Sequence, residues 1–245
     1  MTVEDSYTTV VINQTGGSNL DMSTVTLSVS GNLNIAQAKI IVAYNSASET
    51  YSVVDTAANV ATNVADASVT GASSVTLSGA GTVANVDGIA ELTNLVGGYS
   101  ITDSATAVQT AIDTANATGA PDRALVENAN VVTLNTSASV DEALGSLGNT
   151  DRGLSKLGVS YSITDTVTNM LAGLAGIDAT GITGASALYA SDDTAMSITE
   201  AATLTSLANF IGYDDNVVET NYYLSDTFTS LQAADITLVA NATTV

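Results

Sequence analysis

The 245-residue chain is 45% hydrophobic, but its apolar residues are mostly Ala, Val, Leu and Ile, with 2 Phe and no Trp. This is too apolar for a disordered chain, and it suits thin layers of stacked strands better than a bulky globular centre. Only 4 basic residues, Lys39, Arg123, Arg152 and Lys156, oppose 25 acidic ones, and a net charge of −21 makes nucleic acid and anionic membrane surfaces poor partners.

With no Cys and no His, the chain lacks disulfides, thiol nucleophiles and the commonest general base. The segment Met1–Leu20 carries Glu4 and Asp5 and has neither the basic start nor the apolar centre of a secretory signal. No run approaches the roughly 18 apolar residues of a membrane helix, so membrane insertion is not expected. Tyr7–Asn13 reads as a strand, and residues 1–24 as an N-terminal strand and assembly segment.

From Val25 onward the chain repeats. Val25-Thr-Leu27, Val75-Thr-Leu77, Val132-Thr-Leu134 and Met196-Ser-Ile198 match one another. So do Tyr51-Ser-Val-Val-Asp55, Tyr99-Ser-Ile-Thr-Asp103, Tyr161-Ser-Ile-Thr-Asp165 and Tyr222-Tyr-Leu-Ser-Asp226. Ile236-Thr-Leu238 looks like a fifth copy of the first motif. Recurrence on this scale marks repeat architectures. The expected boundaries are four repeats over 25–74, 75–131, 132–195 and 196–235, with 236–245 as a partial repeat or terminal strand.

Both motifs alternate apolar and hydroxyl residues, as strands with one buried face do. Between them, Val83, Val86, Ile89, Ala90 and Leu92–Leu95 carry helical spacing, followed by Gly97 and Gly98 where a helix would stop. Apolar residues at intervals of three and four also follow Asp55, Asp103, Asp165 and Asp226. Strands joined by crossovers of this length pair in parallel. The expected fold is therefore an α/β repeat, an elongated solenoid of stacked parallel strands with short helices on one flank. The variable stretches Ala115–Asn130 and Ala175–Thr194 are expected to project as loops.

The Tyr-Ser-Ile-x-Asp-Thr-x-x-Asn pattern following a Val-Thr-Leu strand resembles repeats of large secreted bacterial proteins of the RTX-like or surface-layer kind. The resemblance runs from Val25 to the carboxyl terminus and is best at Tyr51–Asn63, Tyr99–Ile112 and Tyr161–Leu174. It implies an extracellular or cell-surface location, a structural role, and type I export without an N-terminal signal peptide. The calcium-binding Gly-Gly-x-Gly-x-Asp nonapeptide of such proteins is absent, so that mode of calcium binding is not expected.

The repeated Asp55, Asp103, Asp165 and Asp226 read as caps of the helices that follow them, with a metal ladder as the alternative. Tyr51, Tyr99, Tyr161 and Tyr222 read as stacking on one another between repeats, with an exposed ligand stripe as the alternative. Asp192, Asp193, Asp214, Asp215 and Asn216 supply hard oxygen ligands for calcium, set against a merely solvated acidic surface. The pair Asp141–Glu142, like the adjacent aspartates, is the material available for glycoside hydrolysis, but without Trp platforms no enzyme is expected.

The expected function is an extracellular structural protein that associates head-to-tail with itself into a filament or surface layer, its last strand meeting the next copy's first. The alternative is an adhesin or glycan-binding stalk acting through its variable loops.

Overall fold

The computed structural model describes residues 2–7, 25–44, 48–114, 122–145, 153–154, 160–176, 179–191, 194–213 and 222–243. The chain is mixed α/β with small parallel sheets, none closed among the described residues. It divides into two compact units, Met1–Thr102 with Ala120–Val132, and Asp103–Gly119 with Thr133–Val245.

In the first unit, β1 (Thr2–Ser6), β2 (Thr26–Leu33), β3 (Ser48–Asp55) and β4 (Ser74–Leu77) form a four-stranded sheet in that order, every pair parallel. Each of the later three strands runs into a helix: α1 (Ile35–Val42) after β2, α2 (Ala57–Thr62) and the short α3 (Ala67–Thr70) after β3, α4 (Val83–Ile89) after β4. Strand alternation is plain in β3, where Tyr51 and Val53 are buried and Ser52 and Val54 lie on the other face. On that face Ser74 Oγ donates to Ser52 Oγ at 2.9 Å. At Gly31, φ is +84° where the β2–β3 register shifts, a bulge conformation that a side chain would strain.

The series continues through β5 (Ile101–Asp103), α5 (Ala105–Thr114), α6 (Asp122–Glu127), β6 (Val132–Leu134) and α7 (Val140–Leu144). In the second unit β7 (Ile163–Asp165), β8 (Leu188–Ala190) and β9 (Phe210–Tyr213) form a three-stranded parallel sheet. Here α8 (Val167–Leu174) and α9 (Thr180–Thr183) follow β7, and α10 (Ile198–Thr205) follows β8. The tyrosine-led segment 222–226 leads into α11 (Phe228–Ala233) and α12 (Ile236–Ala240).

Helices of successive strand–helix modules pack on each other: α1 on α3, α2 on α4 and α4 on α6 in the first unit, α7 on α8 and α8 on α10 in the second. The core is what the composition implies, layers of Val, Ile, Leu and Ala facing inward from strand and helix.

Several expectations are corrected. Ile236-Thr-Leu238 is not a strand but the start of α12, with Asp235 accepting from Thr237 N–H at 2.8 Å. Met196-Ser-Ile198 is not the strand of its repeat either. Ser197 caps α10 and Ile198 is its first residue, while the strand ahead of that helix is Leu188–Ala190, inside the repeat expected over 132–195. Both segments are too short for a two-residue and a 3.6-residue period to be told apart. The stretches expected as loops contain α6, α9 and β8. At the amino terminus the strand lies at Thr2–Ser6, ahead of the expected one; residues 8–13 lie outside the described residues.

Candidate functional site

The functional candidates singled out by repetition come together as one recurring arrangement between successive modules. It begins with the helix cap. Thr56, Thr82, Ser139, Thr166, Ser197 and Thr227 each accept a bond from the amide three residues on, and Ser104 Oγ accepts from Ala107 N–H. Such a cap contributes about 1 kcal/mol. The aspartate that ends the strand is therefore one residue too early to be the cap of its own helix.

It serves the previous helix instead. Asp55 Oδ2 accepts from Ile35 N–H at 3.0 Å, Asp165 Oδ2 from Val140 N–H at 2.9 Å, and Asp226 Oδ2 from Ile198 N–H at 3.1 Å. In each case the donor is the first amide of a helix 20 to 28 residues upstream, one of the free N–H groups that a helix start always leaves. The other oxygen stays local: Asp55 Oδ1 accepts from Thr56 N–H and from Asn59 Nδ2, and Asp165 Oδ1 from Thr166 N–H and Asn169 Nδ2. At α5 the same service comes from a hydroxyl, Thr136 Oγ1 accepting from Ala105 N–H at 3.0 Å. For Asp55, Asp165 and Asp226 the expectation that the aspartates cap helices survives in kind but is corrected in address, because stacking places these three carboxylates over the helix start of the preceding module, while Asp103 Oδ1 accepts locally from Ser104 N–H at 2.8 Å.

The tyrosines are also corrected. Each is buried, and its hydroxyl donates to a backbone carbonyl of a short helix later in its own module: Tyr51 to Ala67 O, Tyr99 to Leu125 O, Tyr161 to Gly181 O and Tyr222 to Leu238 O. The phenols thus anchor α3, α6, α9 and α12 rather than stacking on one another. Burial, with Glu49 and Asp66 nearby, pushes the Tyr51 phenol up to about 12, and burial raises Tyr99 and Tyr222 as well, so these groups remain donors. The one ring pair among the described residues is Tyr213 on Tyr223, with centroids 5.1 Å apart.

A third element was missed in the sequence. Asn94 Nδ2 donates to Val69 O and Ala72 O, closing the end of α3, and Asn209 Nδ2 does the same for Ile182 O and Ala185 O beyond α9. Its signal was present as Leu92-Thr-Asn-Leu95 and Leu207-Ala-Asn-Phe210, a recurrence of Leu-x-Asn-apolar.

The expected calcium ligands Asp192, Asp193, Asp214, Asp215 and Asn216 all lie outside the described residues. Among the described residues no cluster of three or more acidic groups is arranged to hold a metal ion. Glu142 is occupied in the cap of α7, accepting from Ser139 N–H at 2.8 Å. A groove of about 350 Å³ lies beside the start of α1, lined by Asn34, Ile35, Lys39, Asp55, Asn59 and Asn63. Its polar groups are largely spoken for. Lys39 Nζ donates to Asn63 Oδ1 at 2.6 Å and pairs with Asp66 at 3.4 Å, and the Asp55 carboxylate makes the bonds already described.

The carboxylates give the arrangement a pH dependence. Burial disfavours the charge on Asp55, but bonds from Ile35 N–H, Asn59 and Thr56 N–H outweigh it and hold its pKa below the usual 3.8. Asp226 is lowered by bonds from Thr227 N–H and Ile198 N–H. A carboxylate lowered in the folded state contributes stability that is fully present above its unfolded pKa and is lost as pH falls through the folded value. Thermal melts of wild type and Asp55→Asn should therefore differ at pH 7 and converge as pH falls below 3.8. A gap that persists into strong acid rules this out. The paired comparison cancels the opposite trend, relief of self-repulsion as the net charge of −21 is neutralised.

Compared with protein-family models, curated proteins and solved structures, the chain finds no match.

Proposed function

We propose that this protein is an extracellular structural scaffold, each unit a short solenoid of stacked strand–helix modules, and that it works by associating head-to-tail with further copies of itself. One observation carries the reading: the side chains that recur along the chain are spent on bonds that hold modules together. Asp55, Asp165 and Asp226 each tie their own module to the one before, and the four buried tyrosines tie helix to strand within a module. Repetition of that kind serves extension by stacking, in which stability is a sum of module and neighbour terms. The expected head-to-tail contact cannot use a terminal strand at Ile236–Leu238, which is helical, so it needs another surface.

The resemblance to secreted repeat proteins supports the extracellular location, as does the scarcity of Lys and Arg, which leaves trypsin-like proteases few sites. Calcium enters the proposal as a regulator of association, since divalent ions would offset repulsion between copies that each carry −21. Electron microscopy of purified protein, with calcium and with a chelator, is expected to show filaments or layers, favoured by calcium. Dispersed single molecules under both conditions refute the scaffold reading.

A further inference from the structure

Neighbouring coils, each a strand with the helices that lead to the next strand, are spaced by the separation in sequence of the residues that face each other. Ser52 faces Ser74, 22 positions on, and Tyr161 O accepts from Ser186 Oγ, 25 positions on. The aspartate bonds span one coil too: 20 positions from Ile35 to Asp55, 25 from Val140 to Asp165 and 28 from Ile198 to Asp226. Helix packing keeps the same limit, since α1 on α3, α2 on α4 and α8 on α10 are all contacts between adjacent coils.

Contacts of this reach make each coil separable. The tyrosine ties, such as Tyr51 to Ala67 O and Tyr161 to Gly181 O, close within one coil and are lost only when that coil opens. Between coils the ties are a few ladder bonds, an apolar layer and the bonds of Asp55, Asp165 or Asp226, each made to the adjacent coil. The sequence has no Cys, so no disulfide staples one coil to another. Freeing a coil at the end of a stack therefore removes one set of neighbour contacts and leaves the next coil with its own. A coil in that place is bonded on one side only, so a pull on its freed end breaks the ladder bond by bond.

We infer that the protein is an extensible tether: tension through its ends draws out one strand–helix coil at a time, and each aspartate latch sets the force at which its coil yields. The source of tension rests on the scaffold reading, in which joined copies transmit load through one another, but the release itself belongs to the single chain. A freed coil adds about 6–10 nm of contour, from 20 to 28 residues at about 3.3–3.6 Å each, less about 4.8 Å for its place in the stack. Pro121 is the one proline, so a single slow isomerisation stands against the coils' return when tension falls.

Optical tweezers holding one full-length wild-type chain by its two ends test this. Extension at rising force should show repeated steps of about 6–10 nm, recovered on relaxation and seen again on a second pull. In Asp165→Ala one step should open about tenfold faster or more at a fixed force, with its length unchanged, because bonds to a charged acceptor are lost. Asp87→Ala, at an exposed position of α4, should leave every step in place. Rupture of a whole compact unit in one event, or steps that match no coil spacing, overturn the proposal, as do Asp165→Ala traces identical to wild type. Because single molecules are pulled, the two readings fail separately. Dispersed molecules in micrographs refute the scaffold and leave coil-by-coil release standing, and concerted rupture does the reverse.

Discussion

Replacing Asp165 with alanine is expected to lower stability by about 2–4 kcal/mol, far more than a surface carboxylate should. The carboxylate accepts three bonds, from Val140 N–H at 2.9 Å, Thr166 N–H at 2.7 Å and Asn169 Nδ2 at 2.7 Å. Bonds to a charged acceptor contribute about 1.5–3 kcal/mol, and their loss leaves the start of α7 and the turn into α8 with unpaired donors. Asp87, an exposed residue of α4, is the control, and its alanine variant should stay within about 0.5 kcal/mol of wild type. Urea titrations of the three proteins decide the matter. Equal midpoints for the two variants would show that the carboxylate at Asp165 is ornamental.

The second large effect is expected at Gly81, where adding one methyl group should cost about 1–3 kcal/mol. That methyl would meet Ala57 Cβ at 2.7 Å and Val86 Cγ1 at 3.0 Å. Val86 has a side-chain end that can turn, but an alanine Cβ moves only if the α2 backbone moves. The clash is thus between two modules rather than within one, and it has a specific remedy. In Gly81→Ala with Ala57→Gly the offending atom is gone, so the pair should be more stable than Gly81→Ala alone, with a coupling of about 0.5–3 kcal/mol. Denaturation of the four proteins in the cycle measures it, and strictly additive losses would mean that the modules are not seated as described.

Much of the local structure could be read directly from the residues. The alternation in Tyr51-Ser-Val-Val and Tyr161-Ser-Ile-Thr marks β3 and β7, and the three-and-four spacing after Asp165 marks α8 to its last residue, Leu174. Parallel pairing followed from crossover length alone. The misreadings came where a short segment fits two periods. In Ile198 and Ile236 the deciding signal was the polar residue just before, Ser197 with Glu200 three positions on, and Asp235. The addresses of the repeated polar groups lay beyond sequence reasoning. Nothing in the order Tyr-x-x-x-Asp tells that the carboxylate serves a helix already passed and the phenol one still to come; only stacking brings those backbones within reach. Asn94 and Asn209 are the exception, a recurrence that was visible and overlooked.

The reach of these bonds bears on how the molecule acquires its structure. The aspartate and tyrosine contacts join residues between 16 and 28 positions apart. Parallel sheets usually form slowly because distant segments must find each other before any contact rewards the search. Here every closure is a small loop, and loop entropy rises only with the logarithm of length. The chain can therefore wind up progressively, each segment finding its template in the one just laid down.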